Sequence, residues 1–213
     1  MHRHSFTRRL VALAALLAMS CAAAAAGDSY RYDTVHSQIV FSISHDGYSR
    51  PFGRLRIADG WLRFDPQHWS DSATELSIDL DSLDMGDADW NRAVLKPSLL
   101  DAAQWRTARF RSTSLQRTDE SHGVLHGELT LHGVTRPVEL QLTFNRLAGT
   151  LYGLHTVAGF SATATLDRRD FGITAFGNSI GDQVSVWLEI EAIRDDRAAP
   201  PPTRKAAHEP AQH

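Results

Sequence analysis

The sequence predicts an all-β fold of about eight antiparallel strands with one short helical crossing, on three observations. Between Tyr30 and Arg194 the dominant hydrophobic period is two. Turn-forming residues interrupt that alternation at short intervals, and no stretch reads as a strand–helix–strand unit.

The alternation is clearest over 137–147 and 183–194. Val138, Leu140, Leu142 and Phe144 alternate with Glu139, Gln141, Thr143 and Asn145, and Val184, Val186, Leu188 and Ile190 alternate with Ser185, Trp187, Glu189 and Glu191. One apolar face and one wet face mark an antiparallel strand buried on a single side. The pattern recurs at Ile39, Phe41 and Ile43, at Leu55 and Ile57, at Leu62 and Phe64, and at Leu76, Ile78 and Leu80. It recurs again at Leu125, Leu129 and Leu131, and at Phe160, Ala162, Ala164 and Leu166. With the segment around Phe110 this makes roughly eight or nine strands, with Asp59-Gly60, Asp65-Pro66, His122-Gly123 and the run from Asn178 to Gly181 as turn signals. Between Gly86 and Leu100, Trp90, Val94 and Leu95 recur at helical spacing.

Such strands close into a barrel or stack as a sandwich, and the period alone does not separate the two. A barrel of this size is just wide enough inside to be filled by side chains or to hold one small ligand. The small inward residues Gly127, Ala162, Ala164 and Ala192 favour a cavity.

The ends of the chain read differently. Arg3, Arg8 and Arg9 precede an Ala/Leu/Val run that closes on Ala24-Ala25-Ala26, so residues 1–26 are expected to be a signal peptide cleaved before Gly27, which places the protein in the periplasm. The run is short for a retained membrane anchor. Lipidation of Cys21 is the other alternative, although Ala18-Met19-Ser20 lacks the leucine usual in lipoprotein signals. Residues 27–196 then form the folded domain, and 197–213, rich in Pro and Ala, a disordered tail.

Cleavage removes three arginines and no acid from a chain of net charge −3, leaving an acidic protein with no electrostatic footprint for nucleic acid. Cys21 is the sole cysteine, so the domain has no disulfide, thiol nucleophile or thiolate metal site and rests on its hydrophobic core.

Several motifs follow one another over roughly residues 30–194. They are Asp33-Thr34-Val35-His36-Ser37, then His45-Asp46-Gly47-Tyr48-Ser49 with Phe52-Gly53, then Gly60, Phe64, Asp65 and Pro66, then Ser82, Asp84 and Gly86. The most specific stretch runs from Gly127 through Leu129-Thr130-Leu131-His132-Gly133-Val134-Thr135-Arg136-Pro137-Val138, and Arg168, Asp170, Phe171 and Gly172 follow as R-x-D-F-G. Their order and spacing resemble the YceI-like family of lipocalin-like lipid-binding proteins. The resemblance implies an exported, non-catalytic, lipocalin-like antiparallel barrel that holds a polyisoprenoid or other long-chain apolar lipid, such as a prenyl phosphate or an isoprenoid quinone, as carrier or buffer, with no cofactor. Trp90-Asn91-Arg92-Ala93-Val94 stands where the family has R-D-x-H-L. A homodimer and transient membrane contact stay open, as does a stress or interaction protein whose barrel is filled by its own side chains.

The residues proposed to meet a ligand are the inward-facing Phe41, Ile43, His45, Ile78, Phe160, Ala162, Ala164, Arg168, Val186 and Leu188. His45 and Arg168 end their inward series near a barrel mouth, where they either meet a polar head group or close hydrogen bonds at strand ends, pairing with Asp46 or Asp170. His36, His126 and His132 fall on outward parity and are expected at the surface, with no metal site, since one needs three or four converging ligands. A serine-hydrolase reading fails for want of a G-x-S-x-G turn, Ser49 preceding Arg50-Pro51 in a loop.

Overall fold

The computed structural model describes residues 27–151 and 153–200, so the expected signal peptide, Cys21 and most of the expected tail lie outside the described residues. Nine strands are present: β1 (Asp28–Tyr32), β2 (Gln38–His45), β3 (Phe52–Phe64), β4 (Ala73–Asp84), β5 (Thr107–Arg117), β6 (His122–Leu131), β7 (Val134–Gly149), β8 (Thr156–Asp167) and β9 (Ile180–Arg194). The helix α1 (Ala88–Val94) lies inside the stretch where helical spacing was read, and short 3-10 turns occur at Trp69–Asp71 and Arg168–Phe171.

Every pairing is antiparallel, and β3 pairs with β4 to close the sheet on itself. The wall has eight positions because β1 and β2 share one. β2 pairs with residues 52–55 of β3 and 180–189 of β9, while β1 pairs with 61–64 and 192–194 of the same two strands. Between them the chain kinks at Asp33, whose carboxylate accepts from the backbone N–H groups of Val35 and His36, while Ser37 Oγ donates to the Glu191 carbonyl.

Two of the expected turns are strand instead. Asp59-Gly60 lies within β3, which runs unbroken to Phe64 with a register shift between Ile57 and Asp59. A Cβ at Gly60 would sit 2.5 Å from the Glu75 carbonyl oxygen, so this glycine permits close approach of β4 where the wall bends. His122-Gly123 opens β6, and a Cβ at Gly123 would lie 2.9 Å from the Trp69 ring. The two-residue turn from β6 to β7 is His132-Gly133, both at positive φ, so His132 is a turn residue rather than a strand residue.

The two ends of the barrel are built differently. At the β1 end, the rings of Phe64 and Phe144 lie 5.0 Å apart, Phe64 and Phe160 5.0 Å and Phe64 and Trp69 5.7 Å, forming an aromatic plug. Gly127 and Ala192, expected to widen a cavity, belong to filled regions. A Cβ at Gly127 would strike the Phe110 ring, and Ala192, fully buried, lies opposite Tyr32 and Ala158. At the other end, α1 and the loop after Arg168 cross the mouth. No described helix is long and apolar enough to cross a membrane.

Phe64 is 1 % exposed and touches three of the other rings, so Phe64→Ala should cost about 3–5 kcal/mol of unfolding free energy. Urea denaturation of both proteins measures this, with the loss seen as a lower midpoint at unchanged slope.

Candidate functional site

Inward side chains from β1 to β9 enclose a cavity of about 290 Å³ above the aromatic plug. It is elongated along the strands. At about 3.3 Å per residue the run from Val184 to Ile190 covers about 20 Å, or roughly 15 Å along the axis once ordinary strand tilt is allowed for. Phe41, Ile43, His45, Ile78, Phe160, Ala162, Ala164, Arg168, Val186 and Leu188 all border this one space. Period-two parity brings them together because inward residues of neighbouring strands share a layer, as Phe41 and Val186 do, and Ala162 and Leu188.

The opposite wall, which the sequence reading did not assign to the ligand, follows the same period-two rule. Leu125, Leu129, Leu131, Val138, Leu140 and Leu142 border the cavity from β6 and β7. Over the mouth, Trp90 and Val94 lie one helical turn apart on α1 and both reach the cavity, with Leu99 and Leu100 beyond them. Asp87 caps α1 by accepting from the Trp90 N–H at 2.9 Å, and Asn91 Oδ1 accepts from the Met85 N–H at 2.7 Å. Trp90 and Val94 of the W-N-R-A-V sequence thus supply an apolar cover.

The floor carries the few polar groups. The Tyr32 hydroxyl lies 2.5 Å from Thr74 Oγ1, which donates to the Trp61 carbonyl at 2.7 Å. Burial pushes the Tyr32 phenol up to about 12, with the Thr74 hydrogen bond opposing the shift.

His45 and Arg168 both stand at the mouth but differ in what they can offer. His45 is about half exposed, 3.6 Å from Asp46 and edge-on to Trp90 with ring centroids 5.8 Å apart. Arg168 is 4 % exposed, and its guanidinium is already engaged. Nε donates to the Gly181 carbonyl at 2.9 Å, Nη1 to Ile173 at 2.6 Å and Ala175 at 2.8 Å, and Nη2 to Ile180 at 3.0 Å, with Asp182 3.5 Å away. Asp182, rather than Asp170, is its acidic neighbour. The fork that a phosphate would need is occupied by carbonyls of Ile173 and Ala175, in the loop before β9, and of Ile180 and Gly181, at the start of β9.

His126 stands partly exposed beside Glu139 at 3.2 Å, and His132 Nδ1 lies 3.2 Å from the Phe171 carbonyl. Among the described residues Asp33, His36 and Glu191 bring potential ligand atoms within 4.8 Å of one another. Asp33 is there occupied by its own turn, including His36 Nδ1 at 2.9 Å. Hydrogen bonding to Asp33 raises the His36 pKa. The Asp33 carboxyl is held below its ordinary range by the His36 side-chain and backbone donors and Val35 N–H, against the opposing pull of burial.

These features define a class, a closed antiparallel barrel with an elongated apolar interior, covered at one end and plugged at the other. Residues 30–192 match the YceI-like domain, and the chain belongs to that family. A UPF0312 protein of Vibrio cholerae is 34% identical over 192 residues, covering 88% of this chain and 98% of the relative. Another from Pseudomonas savastanoi is 34% identical, covering 76% and 88%. Among solved structures, BcnA of Burkholderia cenocepacia superposes with a TM-score of 0.66 at 18% identity, over 75% of this chain and 98% of its own. A polyisoprenoid binding domain from Saccharophagus degradans, implicated in plant cell wall breakdown, does so with a TM-score of 0.62 at 18% identity, over 78% and 98%.

Arg168→Ala should lower unfolding free energy by about 3–5 kcal/mol, because four carbonyls lose their donors, and Arg168→Lys should recover little of it since an ammonium cannot span the fork. Denaturant titration of the three proteins tests this. For the Asp33–His36 pair, the histidine's contribution is lost as pH rises through its raised folded pKa, and the aspartate's as pH falls through its depressed one. Asp33→Asn should return His36 to an ordinary pKa near 6.5, measured by NMR titration.

Proposed function

We propose that this protein is exported to the periplasm and there carries or buffers a long apolar lipid, a polyisoprenoid above all, without catalysing a reaction. The observation that carries the reading is the continuous apolar cavity bordered by side chains from all nine described strands and covered by Trp90 and Val94. It argues against a barrel filled by its own side chains. The likeness to a polyisoprenoid binding domain supports the same class of ligand. The charged start and apolar run of residues 1–26 support export.

A prenyl chain is recognised by area. At about 0.8 kcal/mol per buried CH₂ each five-carbon unit offers several kcal/mol gross, much of it cancelled by ordering the chain. Affinity then follows how many units the cavity admits, and the walls need no motif beyond apolar inward faces. Phe41, Ile43, Ile78, Phe160, Ala162, Ala164, Val186 and Leu188 are the residues assigned to that contact, with His45 at the mouth.

Organic extracts of protein purified from the periplasm should contain a prenyl lipid by mass spectrometry, and the intact mass should match a chain beginning at Gly27. Ala164→Trp, which fills the cavity beside Val186, should lower lipid occupancy at least about tenfold while the far-ultraviolet spectrum of the barrel is retained. A wild-type barrel that takes up no prenyl lipid when titrated with one overturns the reading.

A further inference from the structure

The wall of the barrel is not sealed all the way round. The β7–β8 ladder runs from Gly149↔Thr156 to Gln141↔Thr163 and stops there, although β7 reaches back to Val134 and β8 continues to Asp167. Over that last stretch β7 keeps only β6 as a neighbour and β8 keeps only β9. Pro137, which has no N–H for a ladder, sits on the unpaired length of β7.

A chamber lies on the outside of this seam. Its inner wall is Val138, Ala164, Leu166, Val186 and Phe171, and the same five residues also border the interior cavity. The seam is therefore a place where interior and exterior are separated only by side chains. Phe171, 2 % exposed and anchored through its carbonyl to His132, stands between the two spaces.

The outer wall is polar and acidic. Gln141, Thr163, Thr165 and Ser185 offer neutral hydrogen-bonding groups beside Pro137 and Trp187. Among the described residues that line the chamber Arg136 is the one guanidinium against the three carboxylates of Glu139, Asp167 and Asp170, with Arg50 reaching in as far as Ser185 Oγ at 3.4 Å. Asp167 accepts from Arg169 N–H and Gln183, and Glu139 lies beside His126. A phosphate or carboxylate brought here meets like charge, and Arg168 at the mouth has its guanidinium engaged elsewhere.

We infer that the seam chamber holds the polar head of a ligand whose chain lies in the barrel, and that it selects an uncharged head, such as an alcohol or a quinone ring, over an anionic one. The inference rests on the lipid-binding reading above. It adds where the head emerges and which chemistry that place accepts.

The test compares two ligands with one C20 chain, geranylgeraniol and geranylgeranyl phosphate, titrated at low salt against wild type and two double variants. In wild type the alcohol binds more tightly than the phosphate, and the gap narrows as salt is raised. Glu139→Gln with Asp170→Asn, both exposed positions on the chamber, should tighten phosphate binding about tenfold and leave the alcohol within about twofold. Asp119→Asn with Glu120→Gln makes the same change of charge in the β5–β6 turn at the plugged end and should leave both ligands unchanged. Phosphate binding unmoved by the chamber variant, or moved equally by both variants, overturns the inference. If neither ligand binds wild type, the lipid-binding reading itself has failed.

Discussion

Closure of the sheet through β3 and β4 is the constraint on which the rest of the molecule depends. A closed eight-position wall leaves edges only where a ladder stops short, as along the β7–β8 seam, and its inward faces can bury themselves only against one another across a fixed width. Where aromatic side chains project inward, as Phe64, Phe144 and Phe160 do, that width is filled. Where the inward residues are aliphatic or small, as Ile43, Ala164, Val186 and Leu188 are, it is not, and space remains. One barrel thus holds a plug and a cavity with no change in architecture, only in side-chain volume along the same strands.

The mouth follows from a second requirement, that backbone groups without a ladder still need partners. The loop from 172 to 179 leaves the sheet, and a single buried guanidinium gathers carbonyls from Ile173, Ala175, Ile180 and Gly181. That same local geometry ends β8 in the 3-10 turn that carries Phe171 to the seam. Arg168 therefore shapes the opening of the barrel while having little left to offer a ligand directly.

On the proposed lipid-binding reading, recognition divides along these lines. A prenyl chain is an apolar object recognised by area, so any wall of inward aliphatic side chains serves, and solved structures at 18% identity share the same barrel. The head is a polar object recognised by local charge and hydrogen bonding, which sit where the wall is irregular. Differences among relatives are best sought at α1, where Trp90 and Val94 form this chain's cover, and along the β7–β8 seam.

Much of the fold was legible from the period of the side chains alone. Inward faces on β2, β4, β6, β7, β8 and β9 read directly from alternation, because each residue's side of a strand is set by its neighbours in sequence. Turns were less legible, since Asp59-Gly60 and His122-Gly123 use glycine for close approach of β4 and Trp69, a need created by distant residues. The share of one wall position between β1 and β2, the filling around Gly127 and Ala192, and the partners of Arg168 were decided only by tertiary structure. Parity says which way Arg168 points, but a guanidinium is claimed by whichever acceptors the folded chain brings within reach, and those lie 5 to 13 residues away in the loop before β9 and at the first residues of β9. The sequence by itself determined antiparallel strands with one apolar face each; that the sheet closes through β3 and β4, and which parts of its inside are solid, empty or open, was decided by strand pairing and by side-chain volume meeting across the barrel.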